Sequence, residues 1–130
     1  MKNKILAIIG GTVALFGLGY LMYVVLEFHE LNEAAESVFT KLDYPYIILM
    51  EVLYATLLTI IFSRWAQIKT FSTGAKAGLV IGAFIGACST LEIFATSELT
   101  SLAGVGMAAV TYGVRFGVAG GVIGWLLGRE

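Results

Sequence analysis

Charge and proline are scarce in this sequence. Only 13% of its 130 residues are charged and 58% are hydrophobic, whereas soluble domains average about 25% and about 45–50%. The single proline leaves room for long helices, because proline breaks a helix interior. The single cysteine, Cys88, excludes a disulfide within the chain and a thiolate metal cluster. The formal net charge of −1 gives no basis for a nucleic-acid partner. This composition predicts a membrane protein.

Four apolar stretches are each long enough to cross a bilayer, which takes about 20 residues of helix. They cover approximately residues 5–26, 46–63, 71–94 and 101–128 of a single domain, 1–130. The first stretch has a cleaved signal peptide as its alternative interpretation. Its 22 uncharged residues exceed the usual apolar core of about 7–15 residues, and no A-x-A-like site closes it. The sequence therefore predicts an all-α polytopic membrane protein with four transmembrane helices, and a lipid bilayer as its surroundings.

The segment between the first two spans, residues 27–43, carries apolar residues at helical spacing with glutamates interleaved. That pattern predicts a short amphipathic helix at the membrane surface. His29 and Glu33, at i and i+4, are a weak candidate for a metal site, and a solvated acidic helix face is the simpler interpretation. We expect no metal and no other cofactor.

Basic residues collect on the side of the bilayer that holds both termini. That side carries six of them: Lys2, Lys4, Arg64, Lys69, Lys76 and Arg129. The opposite side has only Lys41, among several acidic residues. The positive-inside rule therefore predicts that both termini are cytoplasmic.

Glycines recur at regular intervals in the last two spans. Those of the third span are four residues apart: Gly74, Gly78, Gly82 and Gly86. Those of the fourth span that share one face include Gly113, Gly117 and Gly124. Small residues at such spacing are typical of close contact between transmembrane helices. We predict that the third span packs on the glycine face of the fourth.

Arg115 lies near the middle of the fourth span, on the side opposite to its glycines. A charge at the bilayer centre costs at least about 2.5–3.5 kcal/mol, and arginine does not lose its proton. Glu51 lies closest in depth and is the predicted partner, while Glu92 lies further out and is the second choice. Three further polar side chains complete the candidate ligand-binding set: Tyr54, Thr111 and Tyr112.

Two functional classes follow from this pair. Arg115 could hold a small polar or anionic ligand in an outward-facing pocket, in a translocator or binder. Such a protein would be a homodimer, because four short helices enclose little volume. Alternatively, Arg115 and Glu51 form a structural ion pair in a non-catalytic packing module or accessory subunit of a larger membrane complex. A proton or ion path through the glutamates is a third interpretation.

The sequence holds no HExxH, GxSxG or P-loop motif, and we expect no enzyme.

Several of these residues also resemble a family. The first span has the spacing Phe16-x-x-Gly19-x-x-x-Tyr23, and the third is rich in glycine. The fourth contributes Tyr112, Gly120, Gly121, Gly124 and Trp125. The pattern resembles an uncharacterised family of small bacterial four-helix membrane proteins, a domain of unknown function. Met22 stands where that family usually has tryptophan, and Arg115 has no counterpart there. The resemblance implies the four-helix fold in a bacterial inner membrane and implies no activity.

Overall fold

A computed structural model of the chain describes residues 2–25 and 44–129. Within these ranges the chain forms the helices α1 (Lys2–Tyr20), α2 (Tyr44–Ile60), α3 (Phe71–Thr96) and α4 (Leu102–Leu127). A π-helical turn, Leu21–Val25, continues α1, and a second one, Ile61–Trp65, continues α2. The all-helical fold is therefore confirmed for the part of the chain that the structure describes.

All four helices are long and apolar enough to cross a membrane. The helices α3 and α4 each have 26 residues, which at about 1.5 Å per residue exceeds the hydrocarbon thickness of about 30 Å. The helices coincide with the four predicted spans, with ends shifted by a few residues. The amphipathic helix predicted for residues 27–43, with its metal candidates His29 and Glu33, lies outside the described residues.

Polar side chains fix where the last two helices begin. The backbone N–H of Thr73 donates to Thr70 Oγ1 at 3.2 Å, and that of Gly104 donates to Ser101 Oγ at 3.2 Å. Each bond satisfies one of the N–H groups that the first turn of a helix leaves without a partner. Pro45 lies in the first turn of α2, where its missing N–H costs no helical hydrogen bond.

The central helix of the bundle is α4, which contacts α3, α1 and α2. The glycines of α3 lie directly against its backbone. A β-carbon on any of the four would overlap a carbonyl oxygen of α4; from Gly74 to Gly86, these oxygens belong to Gly120, Phe116, Tyr112 and Ala108. This ladder is the surface through which α3 contacts α4.

The glycines of α4 differ in how tightly they face α3. A β-carbon at Gly113 or Gly117 would make ordinary van der Waals contact with Leu79, at 3.4 Å. One at Gly124 would overlap the carbonyl oxygen of Thr70. The closest approach between the two helices therefore runs along the Gly74–Gly86 ladder and the end of α4.

The helices α1, α2 and α4 share an apolar core. Its buried members are Ala7, Leu15, Ala55, Leu58, Phe62, Phe116, Ala119, Ile123 and Leu127. Gly11 allows α1 to approach this core, because a β-carbon there would meet the side chains of Ile123 and Ala55. Beyond the core, toward the end of α1 and the start of α2, the same three helices surround the charged residues.

Candidate functional site

Arg115 pairs with Glu51 between α4 and α2. Arg115 Nη1 lies 3.7 Å from Glu51 Oε2, and only 5% and 2% of the two side chains are exposed. Charge-assisted hydrogen bonds have lengths of about 2.7–2.9 Å, so the two groups attract each other without making a hydrogen bond. Glu92, the second-choice partner and a predicted ligand residue, is exposed and does not line this site. It lies on α3, which packs on the face of α4 that points away from Arg115.

The guanidinium of Arg115 lies over two tyrosine rings. Its Cζ is 4.5 Å from the ring centroid of Tyr112 and 5.3 Å from that of Tyr23. Cation–π contacts of this kind contribute about 0.5–2 kcal/mol, with the higher values where water is excluded. The Tyr23 hydroxyl lies 3.1 Å from Thr111 Oγ1, in a hydrogen bond that either group can donate. Thr111 therefore positions Tyr23 and does not line the cavity described below.

Gly19 brings α1 against the ion pair. A β-carbon at this position would lie 3.0 Å from Arg115 Nη1 and 3.7 Å from Glu51 Oε2. The first of these distances is shorter than side chains normally tolerate, so a larger residue would displace the guanidinium. The absence of a side chain at Gly19 thus sets how closely three helices meet around the two charges.

A cavity of about 260 Å³ opens between α1 and α2 and reaches the ion pair. Its lining comes from α1 and its π-helical turn, from α2 and from α4: Phe16, Gly19, Tyr20, Tyr23, Tyr44, Ile47, Met50, Glu51, Tyr112 and Arg115. Phe16 and Tyr44 make an edge-to-face contact with centroids 6.2 Å apart, which joins the two walls. Tyr20 and Tyr44 are exposed. The cavity therefore has an aromatic rim and a charged inner end.

Two polar atoms at the inner end are buried and have no hydrogen-bond partner among the described residues. They are Glu51 Oε1, an acceptor, and Arg115 Nε, a donor. Buried polar groups nearly always have a partner, and a buried ion pair is favourable only when its remaining lone pairs and protons are satisfied. The pair can therefore accept a further polar group that donates to the carboxylate and accepts from the guanidinium.

The ligand-binding set expected from the sequence is divided by the structure. Arg115, Glu51 and Tyr112 line the cavity, whereas Tyr54 lies half-buried against the core and packs edge-to-face on Phe116 at 4.9 Å between centroids. Among the described residues, no cluster of three His, Cys, Asp or Glu side chains suits a metal ion.

The contribution of α1 to the site was not predicted from the sequence. Phe16, Gly19, Tyr20 and Tyr23 follow the spacing i, i+3, i+4, i+7, which places residues on one face of a helix. Three aromatic rings and a glycine on one helix face were the available signal. They indicate a packed or ligand-facing surface but do not show that Arg115 lies opposite.

Comparison of the chain with protein-family models, with curated proteins and with solved structures finds no match. The resemblance to small bacterial four-helix membrane proteins stays a prediction.

Proposed function

We propose that this chain is an integral membrane protein that binds a small polar or anionic ligand in the cavity between α1 and α2. Arg115 and Glu51 form the inner end of the binding site. The observation that carries the proposal is that Glu51 and Arg115 line the cavity and each keeps one buried polar atom without a hydrogen-bond partner among the described residues, Oε1 and Nε respectively. A purely structural ion pair is favourable when it closes to hydrogen-bonding distance and satisfies these atoms, and at 3.7 Å this one does neither.

The outward faces of the helices support insertion in a bilayer. Each helix exposes a large apolar side chain over more than half of its surface: Val13 66%, Leu53 61%, Phe84 67% and Val110 66%. Large exposed apolar side chains on every helix are typical of contact with lipid or with another protein. With both termini cytoplasmic, as the basic residues predict, the cavity opens toward the outer half of the bilayer. We place the protein in the bacterial inner membrane, as the resemblance implies.

The alternative function is that of a packing module, which would need a free surface for a partner helix, such as the glycine ladder of α3. A ladder of glycines that no helix covers could pack closely against a helix of a partner protein. In the structure α4 of the same chain covers Gly74, Gly78, Gly82 and Gly86, so this surface is already used. We therefore favour a binding protein over a packing module and, as the sequence predicts, we expect no enzymatic activity. The homodimer, the larger complex and a translocating role are proposals that rest on the sequence alone.

Ligand-induced stabilisation tests the proposal. Purified protein in detergent micelles is titrated with benzoate, an anionic probe, and with benzamide, a neutral polar probe, and thermal unfolding is followed by circular dichroism. A ligand that binds the folded state stabilises it by about 1.4 kcal/mol at a tenfold excess over Kd. We expect at least one probe to raise the unfolding temperature.

Two variants on α2 locate the effect. Ile47→Trp fills the cavity and keeps both charges, and it is expected to abolish the stabilisation. Leu57→Trp introduces the same bulk at an exposed position of α2 away from the cavity, and it is expected to keep the stabilisation. A response of equal size in the Ile47→Trp variant, or no response of the wild type to either probe, contradicts the proposed site.

A further inference from the structure

The inner end of the cavity contains one positive and one negative group, and their charges cancel. Arg115 and Glu51 lie 3.7 Å apart and are both almost fully buried. Among the residues that the structure describes, the rest of the lining consists of aromatic, aliphatic and thioether side chains and one glycine, and none of these is acidic or basic. In a site of low dielectric constant, an added charge without a partner is costly. The charge balance therefore disfavours an anionic ligand as much as a cationic one.

The two atoms without a hydrogen-bond partner define the polar head group of a ligand that fits the site. Glu51 Oε1 can accept one hydrogen bond and Arg115 Nε can donate one. A head with one donor and one acceptor side by side, as in a primary amide, satisfies both atoms. Because Nη1 and Oε2 are not within hydrogen-bonding distance of each other, such a head can bind alongside the two side chains without competing with a hydrogen bond between them.

The walls and the volume of the cavity define the rest of the ligand. Phe16, Tyr20 and Tyr44 present aromatic rings to the cavity, and rings of this kind favour stacked or edge-on contact with another flat group. The volume of about 260 Å³ lies just below the range of about 300–1,000 Å³ that is typical of pockets for drug-sized ligands. This space suits a molecule built on one ring.

We infer that the ligand of this cavity is an uncharged, flat molecule whose head carries one hydrogen-bond donor and one acceptor. The inference rests on the proposed function and narrows it: of the polar and anionic ligands considered there, the site selects the neutral polar class. Glu51 and Arg115 together recognise the head, and the aromatic rings of α1 and α2 hold the body.

Three probes of nearly identical shape and different charge test this inference: benzamide, benzoate and benzamidine. Their Kd values are measured by equilibrium dialysis against the full chain in phosphatidylcholine nanodiscs, with empty nanodiscs as the blank for partitioning into lipid. We expect benzamide to bind at least about tenfold more tightly than either charged probe, a difference of about 1.4 kcal/mol.

Charge variants supply a second measurement. Glu51→Gln leaves the positive charge of Arg115 uncompensated, and benzoate is expected to become the tightest probe. Arg115→Met leaves the negative charge of Glu51, and benzamidine is expected to become the tightest. The double variant has neither charge, so it is expected to fold even if a single variant does not. Benzamide is expected to remain its most tightly bound probe.

The outcomes separate the inference from the proposed function. Binding of benzoate or benzamidine to the wild type as tightly as benzamide, or more tightly, overturns the inference and leaves the binding site standing. Saturable binding of none of the three probes contradicts both. A double variant that prefers a charged probe also overturns the inference, because the lining residues that the structure describes then carry no charge to compensate.

Discussion

Arg115 Nη1 and Glu51 Oε2 lie 3.7 Å apart between α4 and α2, with 5% and 2% of the two side chains exposed. The arginine is held from other sides by the rings of Tyr112 and Tyr23. Four elements of the described chain thus meet at one guanidinium: α1 through Gly19, the π-helical turn after it, α2 and α4. The stability of this part of the bundle should depend on both charges together.

The first prediction concerns that dependence. Arg115→Met and Glu51→Gln should each lower the free energy of unfolding by about 3–5 kcal/mol, because each strands a buried charge. The double variant should recover part of the loss. The measurement is denaturant unfolding in detergent micelles, followed by circular dichroism. Losses that simply add in the double variant would show that the two side chains do not interact.

The second prediction concerns the approach of α1. Gly19→Leu should lower the free energy of unfolding by about 1–3 kcal/mol, since the added atoms must displace the Arg115 guanidinium. Gly17→Leu is the matched control, because a β-carbon at Gly17 has no neighbouring atom within 4 Å among the described residues. Equal unfolding curves for the two variants, measured in the same detergent, would count against the close contact at Gly19.

The third prediction concerns the ladder. Gly82→Leu should prevent α3 from packing on α4, because its β-carbon would overlap the Tyr112 carbonyl oxygen and the Phe116 side chain. Gly106→Leu, at an exposed glycine of α4 with open space around it, should behave as wild type. Size-exclusion chromatography and the unfolding temperature report the effect. A wild-type profile for Gly82→Leu would refute the contact.

The fourth prediction concerns orientation. In a Cys88→Ala background, Glu33→Cys in the segment between α1 and α2 should react with a membrane-impermeant maleimide added outside intact cells. Lys69→Cys, between α2 and α3, should react only in inverted vesicles. The reverse pattern would place both termini outside and would overturn the topology drawn from the positive-inside rule.

The sequence was sufficient to predict the four helices, since long apolar stretches with few charges have few other folds. It also pointed to Glu51, because Arg115 needed a partner and Glu51 lay closest in depth. Tyr54 shows the limit of that reasoning. Helical spacing put it on the same side as Glu51, but its ring packs on Phe116 at the edge of the core and does not line the cavity.

The role of α1 could not be predicted for a different reason. Tyr23 reaches Arg115 from a π-helical turn, and no residue in Leu21–Val25 signals that the helix widens there. The distance between α1 and α2, which creates the cavity, depends on contacts between side chains far apart in sequence, such as Phe16 with Tyr44. Periodicity along one helix contains no information on that distance.

The backbone contact between α3 and α4 has a mechanical consequence. Along Gly74–Gly86 the glycines lie directly against backbone carbonyl groups, and backbone atoms cannot change rotamer to absorb a sliding or rolling movement, so this contact resists a change of register. On the other side of α4, the Phe16–Tyr44 contact and the tyrosines around Arg115 are made by rings that can rotate. Any change in the width of the cavity therefore arises from displacement of α1 and α2 against a stiff support formed by α3 and α4.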